Sequence, residues 1–337
     1  MKKCLSFDDV LLVPKYSEIC SRKEIDISSK LGNVTFSIPI ISSPMDTVTE
    51  TAMVTEMHNR GGLGIIHRYN SIRDQAFLVH ECYGAHVGAA IGVSGDYIER
   101  ATALVEAGAN FLCVDIAHGH HALMKHALKI LRNTFGYDIH IMAGNVATRD
   151  GYEDLARWGA SSIRVGIGGG SICSTRIQTG HGMPTFQSVL ECSSSEFSGE
   201  IPIIADGGIK TSGDIVKALA AGADFVMLGS LLAGTSESPG SVYSENGEQF
   251  KVYRGMASKD AQISWRGHTA SVEGVSSSIP FKGSVGDSLE ELCTGIRSGL
   301  SYSGCASIPV FQATNQLVLQ TPAGAYESSA HILNRDK

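Results

Sequence analysis

Residues Gly166 to Arg176 read G-I-G-G-G-S-I-C-S-T-R and set one cysteine, Cys173, behind a run of glycines. Cys173 is the candidate nucleophile. Glycine permits positive φ and close approach of backbone to a ligand, so this loop suits a bound anion as well as a reacting sulfur. Ser171 offers a hydroxyl and an amide to a phosphate, and Thr175, two residues from the sulfur, can pass a proton. Taken alone, a cysteine beside a glycine turn is more often a packed core thiol. The hydroxyl neighbours turn the reading toward chemistry. The apolar S-I-R-V before the loop reads as a buried strand, so a strand empties into a loop that holds a thiol.

Stepping outward, short β-branched runs alternate with segments of helical period from Ile38 onward. Eight candidate strands follow: Ile38 to Ser42, Leu63 to His67, His86 to Ile91, Phe111 to Asp115, Ile139 to Gly144, Ile163 to Ile167, Pro202 to Asp206 and Phe225 to Gly229. Eight such units predict an α/β fold, a closed (β/α)8 TIM barrel, where a doubly wound sheet would have five or six. Ala107-Gly108-Ala109-Asn110, Trp158-Gly159-Ala160-Ser161 and Ala221-Gly222-Ala223-Asp224 each close a helical segment before a strand, as glycine caps do. Asp46, His67, Asp115, Gly144-Asn145, Cys173, Asp206-Gly207-Gly208 and Gly229-Ser230 all fall at carboxyl ends of strands, the face where barrels keep their sites. The loops after strands seven and eight, Asp206-Gly207-Gly208 and Gly229-Ser230, are expected to bind phosphate through amides, with Ser171 approaching from strand six. Asp206 puts a carboxylate where ribose hydroxyls would lie.

The chain has 337 residues, 43% apolar and 18% charged, one barrel domain over 1–337 with no inserted domain. After strand eight, 240–281 is expected to form a hairpin around Glu245-Asn246-Gly247-Glu248 and then a mobile glycine- and serine-rich flap. Asp287 to Ser298 reads as a last amphipathic helix, and 320–337 as a tail that docks on a neighbouring subunit. A formal net charge of -7 excludes nucleic acid as a main partner. Eight cysteines without a C-x-x-C pair, and an N-terminus without an apolar signal core, predict reduced thiols in a cytoplasmic protein. No apolar run is long enough to span a membrane.

F-D-D-V-L-L-V-P (Phe7 to Pro14), S-S-P-M-D-T-V-T-E (Ser42 to Glu50), the cysteine loop, A-D-G-G-I (Ala205 to Ile209), M-L-G-S-L-L-A-G (Met227 to Gly234) and Y-R-G-M (Tyr253 to Met256) are similar, in this order, to the motifs of the IMP dehydrogenase and GMP reductase family. The resemblance covers nearly the whole chain. It implies that Cys173 attacks C2 of a purine nucleotide, with Thr175 and Glu273 as a proton-transfer pair. It assigns Asp206 to the ribose and Ser171, Gly207, Gly208, Gly229, Ser230 and Tyr253 to the phosphate. Gly255 and Met256 would face the base, and Asp115, Ala117, His118 and Asn145 the dinucleotide. Backbone carbonyls of Gly168, Gly170 and Cys173, with Glu327 from a neighbouring subunit, would hold a monovalent cation such as K+. A homotetramer is implied.

One thioimidate serves two reactions in that family. Hydride loss from IMP to NAD followed by hydrolysis makes XMP; loss of ammonia from GMP followed by hydride from NADPH makes IMP. In the dehydrogenases a long flap carries an Arg-Tyr pair that activates water. Here only Ala257 to Val272 separates Met256 from Glu273, with no Arg-Tyr, and Trp265-Arg266 is a poor substitute as a base. T-G-H-G-M-P (Thr179 to Pro184), L-E-C (Leu190 to Cys192) and I-P-F-K-G (Ile279 to Gly283) also lean to the reductase. Ser42-Ser43-Pro44, His67-Arg68-Tyr69-Asn70, Gly229-Ser230 and Glu327-Ser328-Ser329 look more like the dehydrogenase. The reading adopted is GMP reductase with NADPH, the alternative IMP dehydrogenase with NAD. A sensor that binds purine nucleotides without turnover would need none of Cys173, Thr175 and Glu273.

Overall fold

The computed structural model describes residues 1–269 and 272–328. The eight apolar runs form eight parallel strands: Ile40–Ser42, Leu63–Ile66, Val87–Ile91, Phe111–Asp115, His140–Val146, Ser162–Val165, Ile203–Asp206 and Phe225–Leu228. They close into a barrel, the eighth strand pairing with the first through Val226 and Ile40. Each strand is buried on both faces, one by the interior and one by the helical ring, which is why these runs are continuously apolar rather than alternating.

The interior is packed by side chains such as Ile41, Leu63, Ile65, Met142, Ile204 and Met227. Its amino-terminal end is stopped by a hairpin, Ser29–Leu31 with Val34–Phe36. The Phe36 ring lies 5.9 Å from Phe225 and 5.8 Å from Phe111, the first residues of strands eight and four. The opposite, carboxyl end is left for the site.

The three glycine echoes are one device repeated. Gly108, Gly159 and Gly222 have φ of 109°, 103° and 105°. Behind them the amides of Ala109, Ala160 and Ala223 donate to Leu104, Leu155 and Ala218. This six-to-one bond is the Schellman cap, and it turns each helix into the strand that follows.

After strand eight the expected hairpin is present, Tyr243–Glu245 against Glu248–Arg254, with Asn246 and Gly247 both at positive φ in its two-residue turn. The segment expected as a mobile flap differs. It contains a helix, Lys259–Arg266, whose amino end is capped by the Ser258 hydroxyl, and a third strand, Ser276–Pro280, on the hairpin. Serine and glycine obscure both elements because the bonds that hold them come from distant partners. Arg254 forks onto Asp46, with Nε and Nη2 at 3.0 and 2.6 Å from Oδ2, and Trp265 lies 4.6 Å from the Tyr69 ring.

The last amphipathic helix is longer than expected, Val285–Tyr302. Leu317–Leu319 pairs with Val10–Leu12, and Gln320 bonds to the Asp8 and Asp9 carbonyls. The described part of the tail therefore returns onto its own chain, ending in a short helix, Pro322–Glu327; 329–337, part of the expected docking segment, lies outside the described residues.

Candidate active site

At the carboxyl end of the barrel is a cavity of about 350 Å³. Cys173 lines it and is half-buried. Its thiol donates to Thr175 Oγ1 at 3.2 Å, and Thr175 donates to Glu273 Oε2 at 2.8 Å. Thiol, hydroxyl and carboxylate thus form a continuous proton path. Other thiols have no such environment: burial pushes Cys113 and Cys192 up to about 12, and Cys82 and Cys293 up to about 11, so they stay protonated.

Backbone bonds tie Glu273 and its neighbour Val275 to two other segments. Ser174 N donates to Glu273 O, Val275 N to Ile172 O, and Glu273 N to Ala257 O. Three backbone segments, the cysteine loop, 273–275 and 255–258, are stitched side by side, which sets the Glu273 carboxylate beside Thr175 and the Cys173 thiol.

Two glycine loops meet beside them. Gly166 has φ of 149°, and a Cβ there would fall 1.9 Å from the Asp206 carbonyl oxygen. A Cβ on Gly207, with φ of 88°, would lie 3.0 Å from Gly170 N. Only bare backbone lets the loops after strands six and seven touch, and their contact brings Asp206 to the cavity wall.

Beneath the wall lies a charge network from three strands. Arg164, 6% exposed, bonds Asp115 Oδ1 at 2.5 Å and Asp206 Oδ2 at 2.8 Å. Asn145 Nδ2 also reaches Asp206 Oδ2, at 2.8 Å. Two donors on one oxygen hold the carboxylate oriented. Tyr253, 6% exposed, has its phenol pushed up to about 12 by burial, against an opposing hydrogen bond with Ser171. It remains a neutral donor near neutral pH.

The structure brings Ser171, Cys173, Thr175, Asp206, Gly207, Gly208, Gly229, Ser230, Tyr253, Gly255, Met256 and Glu273 to this one cavity, together with Asp115, Ala117, Asn145, Gly168 and Gly170. It does not bring His118 to the cavity wall. That side chain is exposed, its ring 6.5 Å from His120, which pairs with Asp154; the turn after strand four points it outward. Glu327 is exposed at the end of the tail helix and likewise lies off the cavity of its own chain. The Gly170 carbonyl accepts the Cys173 amide at 3.1 Å, closing the turn that carries the thiol. Among the described residues no group of three or more His, Cys, Asp or Glu could hold a metal, and no helix is long and apolar enough to cross a membrane.

Asp46 and His67, suggestive by position, are structural: Asp46 takes the Arg254 fork, and His67 pairs with Glu50 at 3.0 Å. Arg164 and Ser43, beyond the residues expected from sequence, also line the cavity. Arg164 carries a signal in the chain, a cation inside an otherwise apolar strand. Ser43, the second serine of S-S-P-M, carries none of its own.

A family model described as "IMP dehydrogenase / GMP reductase domain" matches residues 4–331. The chain is 35% identical to an inosine-5'-monophosphate dehydrogenase of Nitrosopumilus maritimus, with 98% of each chain covered. It is 32% identical to a GMP reductase of Leishmania major, covering 98% of this chain and 97% of that one. Among solved structures, a cysteine-to-alanine variant of the GMP reductase of Trypanosoma brucei in complex with guanosine 5'-monophosphate superimposes with a TM-score of 0.94 at 31% identity, with 98% of each chain covered. Barrel, cysteine loop and whole-chain similarity agree, and the chain belongs to the IMP dehydrogenase / GMP reductase family of oxidoreductases.

Proposed function

We propose that this protein is a GMP reductase that converts GMP to IMP and ammonia with NADPH. The observation that carries the reading is the path from Cys173 through Thr175 to Glu273, fixed to the cysteine loop, beside a segment between Met256 and Glu273 that is spent on the latched helix Lys259–Arg266. That segment leaves no long arm to bring a base to water in place of the dinucleotide, so the thioimidate meets hydride rather than hydrolysis.

The purine nucleotide lies with its phosphate at Gly208, Gly229, Ser230, Ser171 and Tyr253, its ribose on Asp206 and its base over Cys173. Glu273 takes the thiol proton through Thr175 as sulfur adds to C2. The same pair returns a proton to the C2 amine, so that ammonia leaves and a thioimidate remains. NADPH supplies hydride to C2. Sulfur then departs as thiolate, giving IMP, and Cys173 regains a proton drawn from solvent through Glu273 and Thr175, the first proton having left with ammonia. For the dinucleotide the fit rests on Asp115 and Asn145, which line the same cavity as Cys173, Asp115 held by Arg164 and Asn145 by Asp206. The same reading takes the enzyme as a cytoplasmic homotetramer without a regulatory insert, in which the carbonyls of Gly168, Gly170 and Cys173, with Glu327 from a neighbouring subunit, would hold K+.

The second reading is an IMP dehydrogenase using NAD, favoured by dehydrogenases at 35% and 38% identity among the relatives. One assay separates them. Enzyme with GMP and NADPH, then with IMP and NAD, is followed by absorbance of the reduced cofactor. Consumption of NADPH with release of ammonia is expected; NADH formation from IMP, without turnover of GMP, would overturn the assignment.

A further inference from the structure

The loop after strand eight is held from behind by two ammonium groups. Lys282 Nζ donates to the Ser230 carbonyl at 2.6 Å and the Leu231 carbonyl at 3.2 Å. Lys251 Nζ, on a side chain 3% exposed, donates to the carbonyls of Thr235 and Ser238 at 2.9 and 2.6 Å. Both lysines come from the sheet appended after the barrel: Lys251 lies in Glu248–Arg254 and Lys282 just past Ser276–Pro280. Backbone bonds fasten the same two segments, Lys282 N to Gly234 O and Ser236 N to Gly283 O.

Gly229 and Ser230 face the cavity, whereas the Ser230 carbonyl faces Lys282. A trans peptide sets N–H and C=O on opposite sides, so the Leu231 amide points away from the ammonium. The positive charge thus stands at the carbonyl side of peptides whose amide side turns from it, and aligned dipoles pass its influence forward. Among the described residues neither lysine has a carboxylate within ion-pair distance. In a chain of net charge -7 both cations are directed at one loop; Glu237 lies close enough to Lys251 to act on its charge, whereas Lys282 is left for an anion on the far side of the loop.

We infer that Lys282, backed by Lys251, is a positioning residue for the 5'-phosphate of the nucleotide, orienting and polarising the Gly229–Ser230 loop from outside the cavity. This rests on the reading of that loop as the phosphate loop and is independent of the direction of the reaction. Lys282 does not touch the ligand. Its role is to fix the peptides that do.

The test is calorimetric titration of GMP, IMP and NADPH into the full-length wild type and into Lys282→Gln, which retains a donor and removes the charge. The Kd of both nucleotides is expected to rise about tenfold, the scale of a charge-assisted bond lost. The NADPH Kd should stay within about twofold and kcat at saturation within about threefold. Lys282→Arg should restore most of the affinity. Because the second phosphate ionisation lies near pH 6, wild-type affinity should climb through that pH and the Lys282→Gln profile should be flatter. Unchanged nucleotide affinity overturns the inference. So does a general loss in which NADPH affinity and melting temperature fall with it, which would make Lys282 merely structural. A wild type that binds neither nucleotide overturns both this and the phosphate-loop reading, whereas turnover of IMP with NAD, with the phosphate-specific loss observed, would sink the reductase reading alone and support this one.

Discussion

Thr175 Oγ1 and Glu273 Oε2 lie 2.8 Å apart across 98 residues of sequence, and the hydroxyl that joins them also accepts the Cys173 thiol. General acid and base help of this kind is worth about 10² to 10⁴ in rate. Glu273→Gln should lower kcat by that amount and slow release of ammonia in a single-turnover experiment, while hydride transfer to a preformed thioimidate is spared. Thr175→Val should cost a similar factor, and the double variant little more than either, because both break one path. Additive losses would show that the two residues act separately.

Cys173→Ala should abolish turnover in either direction while leaving the Kd of GMP within about threefold, since sulfur forms the covalent bond and backbone amides hold the phosphate. Quenched mass spectrometry should find a nucleotide adduct on the wild type during turnover and none on the variant. A residual rate above a few per cent would end the covalent scheme.

Gly166→Ala forces a methyl against the Asp206 carbonyl, at 1.9 Å in an unrelaxed backbone, at a φ that side chains avoid. It should cost about 2 kcal/mol or more of stability, and nucleotide affinity with it. Gly180→Ala, at φ of 70° with nothing within 4 Å of the added carbon, should cost only about 1 kcal/mol. Urea denaturation distinguishes the two; equal losses would show that conformation alone, and not loop contact, demands glycine at Gly166.

Two half-buried groups titrate in opposite senses. Burial, with Arg132 adding to it, lowers His140 to about 4. Its contribution is full above its ordinary value near 6.5 and is lost as pH falls toward 4, where the unfolded chain takes a proton that the fold refuses. Burial raises Asp224 to about 6, against the Ile203 amide that it accepts. The fold therefore takes up this proton first and gains stability as pH falls from 6 toward 4. The two nearly cancel in that window. Asp224→Asn should expose the histidine, losing about 2 kcal/mol more than the wild type between pH 6.5 and 4.5 in urea titrations. A variant that tracks the wild type across that range would show that the carboxyl is not buried as the structure has it.

The barrel was legible in the chain because its signals are local. A β-branched run buried on both faces, a glycine that must take positive φ at the end of a helix, and the Asn246-Gly247 turn are each settled within about five residues, by sterics and hydrogen bonds that travel with the sequence. The cysteine loop belongs to the same class, and its motif marks the candidate nucleophile and the neighbouring hydroxyl. What the residues could not disclose depends on partners brought together only when the eighth strand meets the first. Arg164 between Asp115 and Asp206, the carbonyls that receive Lys251 and Lys282, the helix Lys259–Arg266 under Tyr69 and the return of Leu317–Leu319 to Val10–Leu12 are contacts between segments far apart in sequence. Glu273 is the clearest case: spacing puts it near the end of a glycine- and serine-rich loop, and only the backbone bonds of 273–275 to the cysteine loop and to Ala257 set its carboxylate beside Thr175. A carboxylate's role follows from what its backbone is tied to, and such ties are made by closure of the fold, not by the residues on either side.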